Sequence, residues 1–102
     1  MAIPKEFLRK DKIRAVCCIR NLKTDERYLY ATEDAVASYS KERFKLDLGI
    51  HQAKNLQDAY TSLGLELFTI EIDKEADEGE NLGALLEERR IYYLERGKKL
   101  YE

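Results

Sequence analysis

The sequence predicts an α+β domain: a three-stranded antiparallel sheet flanked by helices, in the order (α)ββααβα. Three observations predict it. Two short strand-like runs, 13–20 and 27–31, are separated by a polar turn segment, the signature of a hairpin. A third alternating run follows at 65–73. Apolar residues at helical spacing fill most of the remainder, punctuated by Gly49, Gly64 and Gly97. A hairpin plus one later strand is most simply an antiparallel sheet with helices packed on it.

The bulk numbers suit that class. A chain of 102 residues is expected to be a single domain, 1–102, with one modest core. Hydrophobic residues at 44% and charged residues at 37% describe a globular protein with a heavily charged surface. No apolar run approaches the ~18 residues of a membrane helix, and no signal peptide is seen, so no membrane role and a cytoplasmic location are expected. The net charge of −2 argues against tight non-specific phosphate binding. The charge is uneven: residues 1–30 carry eight Lys/Arg against four Asp/Glu, and residues 64–102 carry six against eleven. A local basic face is therefore compatible with the composition.

Each element has its own local cause. Pro4 suits the first turn of a short helix that buries Phe7 and Leu8. In the first strand Ile13, Ala15, Cys17 and Ile19 line one face, and Val16 and Cys18 the other. Asn21 to Glu26 supplies the turn, and Arg27 to Ala31 the second strand. Thr32 is placed to cap a helix over 33–46, with Glu33 and Asp34 in its first turn. Gly49 ends that region. A second helix over 51–63 lines up Ala53, Leu56, Tyr60 and Leu63, and Gly64 closes it. In the third strand, Leu65 to Asp73, Phe68, Ile70 and Ile72 share a side. The acidic segment Asp73 to Glu80 reads as a solvated loop; a Ca²⁺ site would need the Asp-x-Asp-x-Asp-Gly pattern, which is absent. Asn81 caps a last helix over 82–96. Its main apolar face is Leu82, Leu85, Leu86, Tyr92 and Tyr93, and Ile91 and Leu94 give it a second side. That predicts a helix that is sandwiched, or that covers the sheet while touching another helix.

Several chemistries are excluded early. Cys17 and Cys18 are adjacent and alternate across the strand, so they do not form a disulfide. His51 is the sole histidine, which leaves no Cys/His zinc set and no flanking signature for a Cys-His or Ser-His-Asp system.

A set of short motifs in this order resembles the GIY-YIG nuclease family. Ala15-Val16-Cys17 stands at the first name motif and continues as Cys18-Ile19-Arg20-Asn21. Tyr28-Leu29-Tyr30 stands at the second and continues as Ala31-Thr32. Gly49-Ile50-His51-Gln52-Ala53-Lys54-Asn55-Leu56-Gln57 is similar to a Gly-x-His…Leu-Gln segment of many members. Leu85-Leu86-Glu87, with Ile91, matches the helix that brings the family's metal-binding glutamate. The resemblance covers about residues 13–96 and rests on the order of several motifs rather than on any one.

The resemblance implies phosphodiester hydrolysis with one divalent metal, Mg²⁺ or Mn²⁺. A glutamate holds the metal, a tyrosine serves the attacking water, and an arginine offsets charge on the phosphate. Carried over by position, the second-motif tyrosine is Tyr28 and the glutamate is Glu87, with Glu88 one residue away. The first-motif tyrosine falls on Cys17, whose thiol places no phenolic oxygen. The second-motif glycine becomes Tyr30. The helix arginine falls on Ser38; Arg43, five residues on, reaches the site only if the helix is shifted. The next polar position is Glu42, a negative charge where phosphate should sit. The late asparagine has no clear match, Tyr101-Glu102 being the nearest remnant. Loss of one electrostatic stabiliser costs ~10²–10³ in rate, so a degenerate, catalytically impaired member is expected.

Plainer roles stand beside these. Tyr28 also suits a strand tyrosine packed on the core, and Glu87 a surface residue paired with Arg90. His51 suits a polar helix start as well as a nucleic-acid contact. Arg89 and Arg90 suit phosphate contacts or the dipole of a helix end. Three functions follow: a degenerate nuclease domain kept as a nucleic-acid- or protein-binding module; a working metal-dependent endonuclease using Glu87, Tyr28 and Arg43; and a protein-interaction or self-association domain, including a homodimer, with no nucleic-acid role.

Overall fold

The structure, a computed structural model, describes residues 12–102. The helix expected around Pro4 lies outside the described residues. Asn21 builds the first reversal. Its Oδ1 accepts the backbone N–H of Lys23 at 2.9 Å and of Thr24 at 3.2 Å. Asp25 adopts a left-handed φ of 66°, as a short polar residue tolerates in a turn. This joins β1 (Ala15–Asn21) to β2 (Arg27–Thr32) as the predicted hairpin. β3 (Phe68–Glu75) lies on the other side of β1, so the sheet order is β2-β1-β3 and both pairings are antiparallel.

Register decides which side chains share a face. Cys17 stands between Tyr30 and Ile72, and Ile19 between Tyr28 and Ile70; Cys18 stands between Leu29 and Glu71. The first face packs against α1 (Ala35–Leu48) and α2 (Lys54–Leu63) through Tyr39, Leu46, Leu56 and Tyr60. The second carries Val16, Cys18 and Leu29 under Leu85 of α3 (Leu82–Glu95). The sheet is thus the middle of three layers, and both cysteines are buried on opposite faces, as the alternation predicts.

Several boundaries differ from expectation. Thr32 does not cap α1, because it still pairs with Ala15 in the sheet. Asp34 caps instead, accepting the Ala37 N–H at 3.2 Å. The helix runs to Leu48 and stops at Gly49, whose φ of 75° is open to glycine and strained for other residues. α2 begins at Lys54 rather than 51, since the His51 N–H is taken by the Gln57 side chain at 3.0 Å. Leu65–Leu67 is a 3₁₀ turn, tied to the hairpin by the Leu22 N–H to Leu67 carbonyl bond at 2.8 Å. β3 therefore starts at Phe68 and runs to Glu75, taking in the first residues of the expected acidic loop. Asn81 caps α3 as predicted, accepting the Ala84 N–H at 2.9 Å.

The expected sandwiching of α3 does not occur among the described residues. One side covers the sheet, and the second, with Ile91 and Leu94, is exposed. The chain end, by contrast, is built in. The Arg27 N–H donates to Lys99 at 3.1 Å and the Tyr101 N–H to Arg27 at 2.7 Å, so the tail pairs along the edge of β2. Tyr101 is buried in the first core. No helix among the described residues is long and apolar enough to cross a membrane.

Candidate functional site

Tyr28 leaves β2 on the α1 side of the sheet, which brings it to the loop between α1 and α2. Its ring meets the His51 ring edge-on, centroids 5.2 Å apart, and the Tyr30 ring lies 6.2 Å away. Its hydroxyl accepts a hydrogen bond from Gln52 Nε2 at 3.1 Å. Gln52 Oε1 accepts in turn from Lys45 Nζ at 3.0 Å. The same ammonium lies 2.5 Å from Glu42 Oε2, and Glu42 Oε1 lies 3.2 Å from His51 Nε2. A continuous polar chain therefore runs Tyr28, Gln52, Lys45, Glu42, His51.

His51 is fixed at both ring nitrogens. Nδ1 accepts the Ala53 N–H at 3.0 Å, so the proton sits on Nε2 and donates to Glu42. This satisfies an N–H at the start of α2, a helix without a side-chain cap of the usual kind. Burial alone would push the Glu42 carboxyl up. The His51 hydrogen bond and the Lys45 ammonium outweigh it and hold the group below its ordinary value.

The cleft beside this chain measures about 420 Å³ and is lined by Tyr30, Thr32, Ser38, Lys41, Glu42 and Lys45, among others. Tyr30, which the sequence resemblance matches to the second-motif glycine, carries a buried hydroxyl that faces the Ser38 and Cys17 side chains without a hydrogen bond of full geometry. Burial raises that hydroxyl's pKa well above the usual phenol value. The Ser38 hydroxyl donates to the Ala35 carbonyl at 2.9 Å. Cys17 is buried beside Tyr30 in the sheet. Arg43 pairs with Asp47 at 3.7 Å, and Asp47 also accepts the Tyr60 hydroxyl.

The remaining candidates stand elsewhere. α3 covers the opposite face of the sheet. Glu87 lies on the side of that helix turned away from the sheet, its side chain 67% exposed, with Arg90 at 4.0 Å. Arg90 also reaches Glu102 at 3.6 Å. Arg89 points inward: its Nε is 2.6 Å from Asp73 Oδ2, and its guanidinium lies 4.1 Å from the Tyr92 ring centroid. Asp73 also accepts the Tyr93 hydroxyl. Burial, then the Asp73 carboxylate, push Tyr93 up to about 12; burial, then Asp73 and Glu71, do the same to Cys18. The fold therefore gathers Tyr28, His51 and Cys17 on one face and keeps Glu87, Arg89 and Arg90 on another. Sequence reasoning missed Gln52 as the partner of Tyr28 and Lys45 as the partner of Gln52. The i,i+3 spacing of Glu42 and Lys45 was the available signal, but it does not say which way the pair faces.

A hard divalent ion needs converging oxygen donors. Glu87 has a guanidinium as its ionic neighbour, and no group of three or more His, Cys, Asp or Glu side chains gathers among the described residues. These residues do not fit a preformed site for the ion.

No family model matches the chain, and no curated protein matches it. Among solved structures it resembles the catalytic domain of the homing endonuclease I-TevI, a GIY-YIG nuclease, with a TM-score of 0.66 at 20% identity over 81% of this chain and 86% of that one. A glutamate-to-alanine mutant of the same domain, described as that of an intron endonuclease, gives 0.64 at 19% identity over 82% of each chain. This chain has the GIY-YIG nuclease fold. At this identity the likeness is one of fold. The sheet and helices of that fold are present in order, and the polar chain around Tyr28 lies on the face of the sheet that α1 and α2 cover.

Proposed function

We propose that this chain is a degenerate GIY-YIG nuclease-like domain, impaired in cleavage and kept as a binding module for nucleic acid or a protein partner. The observation that carries this reading is the separation of Tyr28 from Glu87 by the sheet and by α3. A phosphodiester held at Tyr28 does not meet a metal held at Glu87. Two further features support it. The Tyr28 hydroxyl is engaged by Gln52, and the Lys45 cation beside it is neutralised by Glu42. Arg89 is engaged by Asp73 in holding α3 to the sheet and Arg90 by Glu87 and Glu102, which leaves Arg96, Lys98 and Lys99 as the more exposed cations of that end.

The test is nicking of supercoiled plasmid by the purified chain with Mg²⁺ or Mn²⁺, alongside EDTA and Glu87→Ala controls. The expected outcome is no nicking above the protein-free background. Metal-dependent nicking that disappears in both controls would overturn the reading and restore the working endonuclease. Salt-sensitive retention of a labelled duplex by the uncleaving protein would assign the module to nucleic acid.

A further inference from the structure

Two exposed apolar patches lie on opposite sides of the molecule, and neither belongs to the Tyr28 cleft. On α1 the buried stripe is Ala35, Tyr39, Glu42 and Leu46. Half a turn round the helix, Phe44 and Leu48 point away from the sheet, one turn apart, and Ile50 follows just past Gly49. Phe44 and Ile50 are each 61% exposed. The neighbouring cation is Lys41, which is exposed; Lys45 is paired with Glu42, and the nearby Asp47 is engaged by Arg43 and Tyr60. On α3 Leu85 faces the sheet, while Ile91, 47% exposed, and Leu94 face away. Glu87, Glu88 and Glu95 flank them. Arg89 is paired with Asp73, Arg90 pairs with Glu87 and Glu102, and Arg96 lies 3.5 Å over the Tyr92 ring, which leaves Glu88 and Glu95 as the carboxylates of that face outside these pairs.

Grouped apolar side chains of this size on a surface mark a contact site more often than scattered ones do. Charge then selects the occupant. Pairing like patches sets Glu88 and Glu95 against their own copies on α3, or Lys41 against Lys41 on α1. Pairing unlike patches sets Lys41 against Glu88 and Glu95, beside the apolar centres. We infer that copies of this chain associate head to tail, the α1 patch of one seated on the α3 patch of the next. Because the sheet separates the two patches, the contact is heterologous and each pair keeps one open patch at either end. The patches are small, in the class below ~1,200 Å² that gives reversible, transient contacts. Salt weakens the charged part of the match. None of this rests on the reading of the Tyr28 site.

Sedimentation equilibrium of the full chain, from micromolar to millimolar concentration, tests it. The expected weight-average mass rises above the 12.0 kDa of one chain without levelling at two, and falls as salt is added. Phe44→Glu and Ile91→Lys each block one patch, so each variant alone is expected to remain at the mass of one chain, with an unchanged circular dichroism spectrum. Mixed in equal amounts, they retain one good patch each and are expected to form a dimer and nothing larger. Lys41→Glu is expected to weaken association, and adding Glu88→Lys to the same chain to restore it. A wild-type chain that stays monomeric throughout overturns the inference. So does a wild-type dimer whose two blocked variants stay monomeric on mixing, which is the signature of a two-fold contact.

Discussion

Three side chains carry the conflict between the GIY-YIG fold and its expected chemistry. Tyr30 brings a hydroxyl into a buried place beside Ser38 and Cys17, where it makes no hydrogen bond of full geometry. A buried donor left unpaired costs about 1–3 kcal/mol. Tyr30→Phe keeps the ring and removes the orphan, so it is expected to raise stability by about 1 kcal/mol, read as a higher urea midpoint at unchanged slope. Glu42 is the reverse case, a buried carboxylate with two good partners. Its folded pKa lies below the ordinary 4.5. The stabilisation is complete above the unfolded value and is lost as pH falls through the folded one. Urea midpoints measured from pH 7 down to pH 3 are therefore expected to fall less steeply in Glu42→Gln than in the wild type. At pH 7 the same variant is expected to be less stable by about 2 kcal/mol, since the Lys45 partner loses its counter-charge. Cys17, the third, is buried in the first core, at the position the sequence resemblance matches to a motif tyrosine.

At the scale of elements, caps explain where helices begin more reliably than apolar spacing does. Asn81 holds the N-terminus of α3 with one side-chain bond to Ala84. Asn81→Ala is expected to cost about 1 kcal/mol in thermal or urea unfolding. The start of α1 shows the limit of reading caps from sequence. Thr32 and Asp34 are both good capping residues, and only the pairing of Thr32 with Ala15 decides between them. The start of α2 is decided by His51 and Gln57, whose side chains serve the backbone of the loop and hold His51 against Glu42 and Tyr28. The order of elements was legible because turns, glycines and alternation are local signals. The site was legible only in part, because Gln52 reaches Tyr28, and Lys45 reaches Gln52, through a packing that spacing does not encode.

Across the whole molecule, the tail closes the fold over the hairpin. Tyr101 is buried in the first core, and its hydroxyl accepts from Asn21 Nδ2 at 3.0 Å, the same asparagine that shapes the β1–β2 turn. Asp25 gathers the hairpin and the tail as well, with Arg20 at 2.9 Å, Arg27 at 3.2 Å and Lys98 at 2.9 Å. Tyr101→Ala empties a buried aromatic site and frees the edge of β2, and is expected to cost about 3 kcal/mol. Hydrogen exchange should then show the amides of Arg27 and its strand neighbours losing protection before those of β1, which lies between two strands.

By itself the sequence determined the class and order of elements, the hairpin, the burial of both cysteines on opposite faces, and the family resemblance that the GIY-YIG fold bears out. These follow from periods of two and 3.6 residues and from turn chemistry, which act over short stretches of chain. Only the tertiary structure decided that Tyr28 and Glu87 stand on opposite sides of the sheet, that Arg89 turns inward to Asp73, and that Ile91 and Leu94 are left uncovered. Each of these depends on which face of the sheet an element covers and on how it is rotated there. That is settled by packing between residues far apart in the chain, and local pattern carries no record of it.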